Sequence, residues 1–151
     1  MIAAKKAVTW ASICVACVGT FEGLRTYAYR DPVGIPTACF GETKNIRMGD
    51  RFTVDECEGM LNVRVQEFGE AVDRCVLHAL PPERKAAYVS FAYNVGVNAF
   101  CSSTLVRKEN AHDTRGACDE LRKWTKAAGM TLPGLVKRRE SERELCLTGL
   151  A

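Results

Sequence analysis

The chain has 151 residues, 47% hydrophobic and 26% charged, the proportions of one ordinary soluble domain, which excludes a disordered chain and a polytopic membrane protein. Lysine plus arginine number 21 against 18 acidic residues, and this formal charge of +3 suits an anionic polymer or cell-surface partner rather than nucleic acid. The eight cysteines are unusual, because an exported protein uses them as bridges whereas a cytosolic one uses them for metal or redox chemistry.

No Pro/Gly/Ser-rich linker, internal repeat or low-complexity tract interrupts the chain, which therefore reads as one continuous domain. After Lys5 and Lys6, the run from Ala7 to Phe21 is uncharged, rich in small residues, and stops at Glu22. A spanning helix needs ~20 apolar residues, so this run is short and weakly hydrophobic for an anchor. Its positive flank fits a secretory signal, and its pattern fits a buried core helix equally well. Between Gly23 and Gly49, short aromatic or β-branched pieces broken by Pro32, Gly34, Pro36 and Gly41 predict a turn-rich β-hairpin region.

At Thr53 the pattern becomes helical. Thr53 and Glu56 have the spacing of a capping box, and Leu61, Val65, Phe68, Val72 and Val76 then recur along one face of a long helix. Pro82 predicts the start of the next helix, with Ala86, Val89 and Tyr93 on its apolar face and Gly96 as its stop. Ser102 or Ser103 is a cap for a short helix through Leu105 and Val106. Asp113 caps another, expected to carry Ala117, Leu121 and Trp124 and to end near Gly129. A last helix follows Pro133, with Leu135, Arg138, Arg139, Glu142 and Leu145 along it. The fold class expected is α+β, mostly helical, with a small sheet towards the N-terminal side.

A structural zinc site needs closely spaced ligand pairs, twice, and only Cys14 and Cys17 form such a pair. His78 and His112, the only histidines, stand far apart in the sequence, so neither a metal nor any other cofactor is expected. There is no phosphate-cradling glycine loop and no nucleophile elbow. The polar constellation that does stand out is Glu22 at the end of the apolar run, Asp31 in the following turn, and Thr37 opening the next extended piece. A carboxyl at the end of an apolar helix is partly desolvated and tends to stay protonated, while one in a wetter turn stays ionised. Two carboxyls in unlike surroundings are what glycosidic-bond cleavage uses. The same residues also read as a helix-end charge and an Asp-Pro turn, and spacing alone does not separate the two readings.

The segments Phe21 to Arg25 and Ala28 to Asp31, with Gly34, Thr37 and Gly41, closely resemble the phage-type lysozymes, glycoside hydrolase family 24. That family's signature is Glu, eight residues, Asp, five residues, Thr, and Glu22, Asp31 and Thr37 reproduce it without a gap. Further matches run through Phe91 to Gly96, Phe100 to Leu105, Cys118 to Trp124, and Gly134-Leu135 followed by Arg138-Arg139 and Glu142. The resemblance implies a two-lobed fold, a small β-hairpin lobe and a helical lobe joined by a long helix. It implies Glu22 as general acid, Asp31 as second carboxylate and Thr37 as a holder of the attacking water. Tyr93 and Asn94 would face the substrate cleft, Thr104 would contact sugar, and Arg138 or Arg139 would pair with Glu22. One departure matters: many members have a histidine where this chain has Glu42, so local charge pairing is not transferable.

The implied substrate is the β-1,4 bond between N-acetylmuramic acid and N-acetylglucosamine in peptidoglycan. The implied function is a monomeric endolysin acting in the host periplasm. The alternatives kept beside it are an inactive cell-wall-binding module and a hydrolase of a related glycan such as chitin. The bridges expected from such a fold are Cys39–Cys57, Cys75–Cys101 and Cys118–Cys146. Signal cleavage would behead the helix that carries Glu22, so residues 1–21 resemble instead a signal-anchor-release segment that tethers the chain to the inner membrane. Residues 22–151 then form the catalytic domain, and Cys14 and Cys17 are candidates for redox control.

Overall fold

The computed structural model describes residues 8–150; Lys5, Lys6 and the first residue of the apolar run, Ala7, lie outside the described residues. Helix α1 spans Trp10–Glu22. Thr9 and Ser12 cap it reciprocally, each hydroxyl accepting the other residue's backbone N–H at 3.1 Å. Cys14 and Val18, four residues apart and so on one face, are fully buried. Trp10 lies on Gly69, where a methyl group would come within 2.2 Å of the indole, so only glycine leaves room.

Strands β1 (Arg25–Arg30) and β2 (Pro36–Cys39) form the expected antiparallel hairpin, with Tyr29 opposite Thr37. Its core is small: Ala28, Ala38, Cys39, Ile46 and Cys57. The Cys39–Cys57 bridge fastens β2 to the start of α2 (Val54–Cys75). The Thr53–Glu56 capping box forms as the spacing predicts, with bonds of 3.0 and 3.1 Å. At 22 residues, α2 is about 33 Å long and runs from the β lobe into the helical lobe.

The helical lobe is organised around α3 (Pro82–Val95), whose residues from Ala86 to Ala92 are all buried. It starts at Pro82 and stops at Gly96, where φ is +94°, a conformation glycine adopts without steric cost. A short helix, α4 (Val97–Cys101), follows at once and was not expected. Ser103 rather than Ser102 caps α5 (Thr104–Asn110), and Asp113 caps α6 (Thr114–Glu120). Cys75–Cys101 joins α2 to α4 and Cys118–Cys146 joins α6 to α7 (Pro133–Cys146), the pairs that the family resemblance implies.

Two expectations need correction. The helix after Asp113 does not continue to Gly129. It ends at Glu120, gives one 3₁₀ turn over Leu121–Lys123, and leaves Trp124 outside any helix. Ala128 and Gly129 both have positive φ, 51° and 78°, and form the two-residue turn between β3 (Lys126–Ala127) and β4 (Met130–Thr131). Gly129 is a hairpin residue, not a helix stop. The histidines, far apart in sequence, stack at 4.8 Å between ring centroids. The buried Glu109 sits beside them, bonded to Tyr88 and Thr114 and 3.3 Å from His78. Among the described residues no cluster of three or more His, Cys, Asp or Glu has the arrangement of a metal site.

Candidate active site

Glu22 is the last residue of α1, and Gly23 (φ +72°) turns the chain sharply into β1. Glu22 Oε1 accepts from Arg138 Nη1 at 2.7 Å, with 5% of the arginine side chain and 22% of the glutamate exposed. The pairing left open between Arg138 and Arg139 thus falls to Arg138. Oε2 is near Gly41, where a Cβ would stand 3.2 Å from it. Arg138 also donates to the Ser90 carbonyl at 3.1 Å and lies over the Phe21 ring.

Arg139 faces the other way and is also buried. It donates to the Trp124 carbonyl at 2.9 Å, to Glu142 and to the Asn94 side-chain oxygen, and covers the Phe91 ring. Burial pushes the Glu142 carboxyl up, and the pull of Arg139 and Arg138 only partly offsets it. Ser90, fully buried on α3, is the junction. Its hydroxyl accepts the Cys17 thiol at 3.6 Å and lies close enough to Glu142 to favour that carboxyl's ionised form. Burial pushes the Cys14 thiol up to about 12 and the Cys17 thiol up as well, so both stay protonated. Neither is in a disulfide.

Asp31 is held by backbone. Its Oδ1 accepts from the Val33 and Ile35 amides at 3.0 and 2.8 Å, the closed turn that an Asp-Pro sequence favours. Thr37, buried in β2, donates its hydroxyl to the Ile35 carbonyl at 2.9 Å. The Ile35 peptide therefore joins Asp31 and Thr37, while Glu22 bonds Arg138 rather than either of them.

Tyr93 donates its hydroxyl to the Phe40 carbonyl at 2.7 Å and lines a cavity of about 280 Å³ beside Gly41, Glu42 and Thr43. Asn94 lines a second cavity of about 440 Å³ with Glu22, Leu132 and Arg138. Thr104 lines neither and accepts from Arg107 at 2.6 Å in the first turn of α5. Glu42, the departure from the usual pattern, has its own partner. Arg64 of α2 grips it with Nε at 2.8 Å and Nη2 at 2.7 Å, and the Thr43 and Lys44 amides add to the hold. Burial raises the Glu42 carboxyl, but these bonds outweigh it and keep it below the usual range. Sequence reasoning marked Glu42 as odd without finding Arg64, and gave no signal for Ser90.

The arrangement offers one carboxyl anchored on a buried guanidinium and another held by turn amides. The phage lysozyme family model matches residues 19–142. The SAR-endolysin of Bacteriophage PS119 is 43% identical over 129 residues, 85% of this chain and 77% of the relative. The muramidase domain of SpmX from Asticaccaulis excentricus superposes with a TM-score of 0.84 at 32% identity, over 89% of this chain and 95% of that one. An endolysin from Escherichia coli O157:H7 phage FAHEc1 does so with 0.84 at 28% identity, over 97% and 98%. A family match that spans most of the chain, with a relative at 43% identity, places it: the chain belongs to the phage lysozyme family.

Proposed function

We propose that this chain is an endolysin, a muramidase that hydrolyses the β-1,4 bond between N-acetylmuramic acid and N-acetylglucosamine in peptidoglycan and so lyses the bacterial host. The observation that carries the reading is Glu22, whose Oε1 is committed to Arg138 while its carboxyl borders the cavity beside Asn94. Glu22 is the general acid: it gives its proton to the glycosidic oxygen as that bond breaks. Asp31, held in its turn, stabilises the positive charge growing on the sugar or assists the water that adds to it. Thr37 holds that water. Asn94 and Thr104 contribute to binding the glycan strand, and Tyr93 lines its path. Nothing in the site favours a binding module that has lost activity or a hydrolase of chitin.

The chain acts as a monomer in the host periplasm, after tethering to the inner membrane through residues 1–21. Two observations support the tether. The segment from Trp10 to Phe21 carries no charge, and the PS119 relative is named an SAR-endolysin. No helix of the described residues is long and apolar enough to cross a membrane, and α1 at 13 residues spans only about 20 Å. A tether would therefore draw on the residues before Trp10 too. Insertion takes Cys14 and Val18 from the core and Glu22 from Arg138, so the tethered form is inactive until release. Cys14 and Cys17, unbridged in the folded enzyme, are free to pair differently before release and so add redox control.

The test is clearing of outer-membrane-permeabilised bacteria by the wild type and by Glu22→Gln, with mass analysis of fragments from purified peptidoglycan. The wild type should clear the suspension and release muropeptides, and Glu22→Gln should lose at least about a hundredfold in rate. An active Glu22→Gln, or an inactive wild type, overturns the proposal.

A further inference from the structure

The segment Phe40–Glu42, just after β2, supplies no side chain to the chemistry proposed above, yet Gly41 stands beside the second oxygen of Glu22, near enough that a Cβ there would meet it. Gly41 has φ +77°, and any Cβ there would press on Oε2 at 3.2 Å. Glu22 therefore has the Arg138 guanidinium on Oε1 and Gly41 beside Oε2. A shift of the Phe40–Glu42 segment towards α1 would take up the space that glycine leaves for the carboxyl.

Three elements hold the segment on both flanks of Gly41. On one side, the Tyr93 hydroxyl of α3 donates to the Phe40 carbonyl at 2.7 Å, and its ring rests on Phe68 of α2 at 5.3 Å. On the other, Arg64 of α2 grips the Glu42 carboxylate two-handedly, a geometry that fixes direction as well as distance. Beneath, Ala38 and Glu42 exchange backbone bonds of 2.9 and 2.8 Å and close the turn. Arg64 and Tyr93 both come from helices, so the two anchors refer the segment to the rigid part of the molecule.

We propose that Tyr93 and the Glu42–Arg64 pair are positioning residues for Glu22, setting how near Gly41 stands to its carboxyl and hence the direction in which it presents its proton. This rests on the reading of Glu22 as the general acid. Neither Tyr93 nor Glu42 needs to touch the reacting atoms; each acts through the main chain between them.

The experiment measures kcat and KM separately on soluble peptidoglycan strands, with a thermal midpoint for each variant. Tyr93→Phe removes one hydroxyl and keeps the ring on Phe68, and Glu42→Gln keeps the shape and loses the charge. Each should lower kcat roughly 10- to 100-fold with KM nearly unchanged, because misplacing a catalytic group by about 1 Å costs that much. Arg64→Lys keeps the charge without the two-handed grip and should fall between the wild type and Glu42→Gln. If Glu42→Gln does not fold, Tyr93→Phe decides alone. Wild-type kcat in Tyr93→Phe, a change in KM alone, or a loss that tracks only the unfolded fraction overturns the proposal. Glu22→Gln separates the two claims. If it stays active, the general-acid reading has failed; if it is dead while Tyr93→Phe retains full kcat, only the positioning role has.

Discussion

The β lobe closes over five small or medium buried residues, Ala28, Ala38, Cys39, Ile46 and Cys57, whereas the helical lobe packs Tyr88, Phe91, Phe100 and Leu105 into one continuous core. Each lobe contributes part of the candidate site, and each holds its part by different means. Asp31 and Thr37 are set by backbone amides and carbonyls within one hairpin, so their geometry needs little from a core. Glu22 is set by Arg138, which is itself buried among Ser90, Phe21 and the Arg139–Glu142 pair. A local turn suffices to place the Asp31 carboxyl. Placing Glu22 takes an arginine held in the core, and a buried guanidinium is costly unless its neighbours supply partners for it.

The sharpest way to break that comparison is to remove one charge from each lobe. Glu142→Gln leaves the Arg139 guanidinium buried with only neutral partners and should destabilise the protein by about 3–5 kcal/mol. Glu42→Gln acts on a pair whose side chains are 25% and 10% exposed and should cost about 1 kcal/mol or less. Urea denaturation of both variants measures the difference, and equal losses would mean that the helical lobe does not depend on its buried pairs.

The bridges test the same contrast at a smaller scale. Replacing Cys39 and Cys57 by alanine, or Cys118 and Cys146, removes closures of 18 and 28 residues, each worth about 2–4 kcal/mol. The consequences should differ in extent. Loss of Cys39–Cys57 should speed amide exchange chiefly in β1, β2 and the start of α2, because the small core there has little else to close it. Loss of Cys118–Cys146 should act on exchange throughout the helical lobe. Uniform exchange in both variants would erase the distinction between the lobes.

The regular elements were legible in the sequence because they rest on local chemistry: the Thr53–Glu56 box, Pro82 and Gly96 at the two ends of α3, Asp113 at the start of α6. The Glu-Asp-Thr spacing was legible for the same reason, since all three residues lie in one stretch of chain. What escaped was decided by contacts between distant segments. Gly129 reads as a helix stop or a turn residue equally well, and the pairing of Lys126 with Thr131 is what chooses. Arg64 lies 22 residues from Glu42, and nothing in either local pattern points to the other. Ser90 looks like any serine on a buried helix face until Cys17 and Glu142 are seen around it. The Cys14–Cys17 spacing suggested reactivity, whereas burial makes both thiols reluctant to ionise.

That reluctance gives the smallest effect and the one that bears most directly on α1. A thiol whose pKa is about 12 in the folded chain and near 9.0 in the unfolded chain leaves stability untouched below pH 9. Above it, the unfolded chain gains by losing a proton that the folded chain keeps, so stability falls as the pH rises from 9 towards 12, by about 1 kcal/mol per pH unit. Cys17 adds in the same direction. Cys14→Ala should therefore be less stable than the wild type at neutral pH, for loss of packing beside Val18, but should show a shallower alkaline decline. Urea denaturation from pH 7 to 11 reads both, and parallel curves would place the alkaline loss elsewhere. The same protonation state slows alkylation at neutral pH, where the thiolate is the reactive form. Fast labelling of Cys14 would then report α1 out of the core, the condition in which Glu22 has also left Arg138.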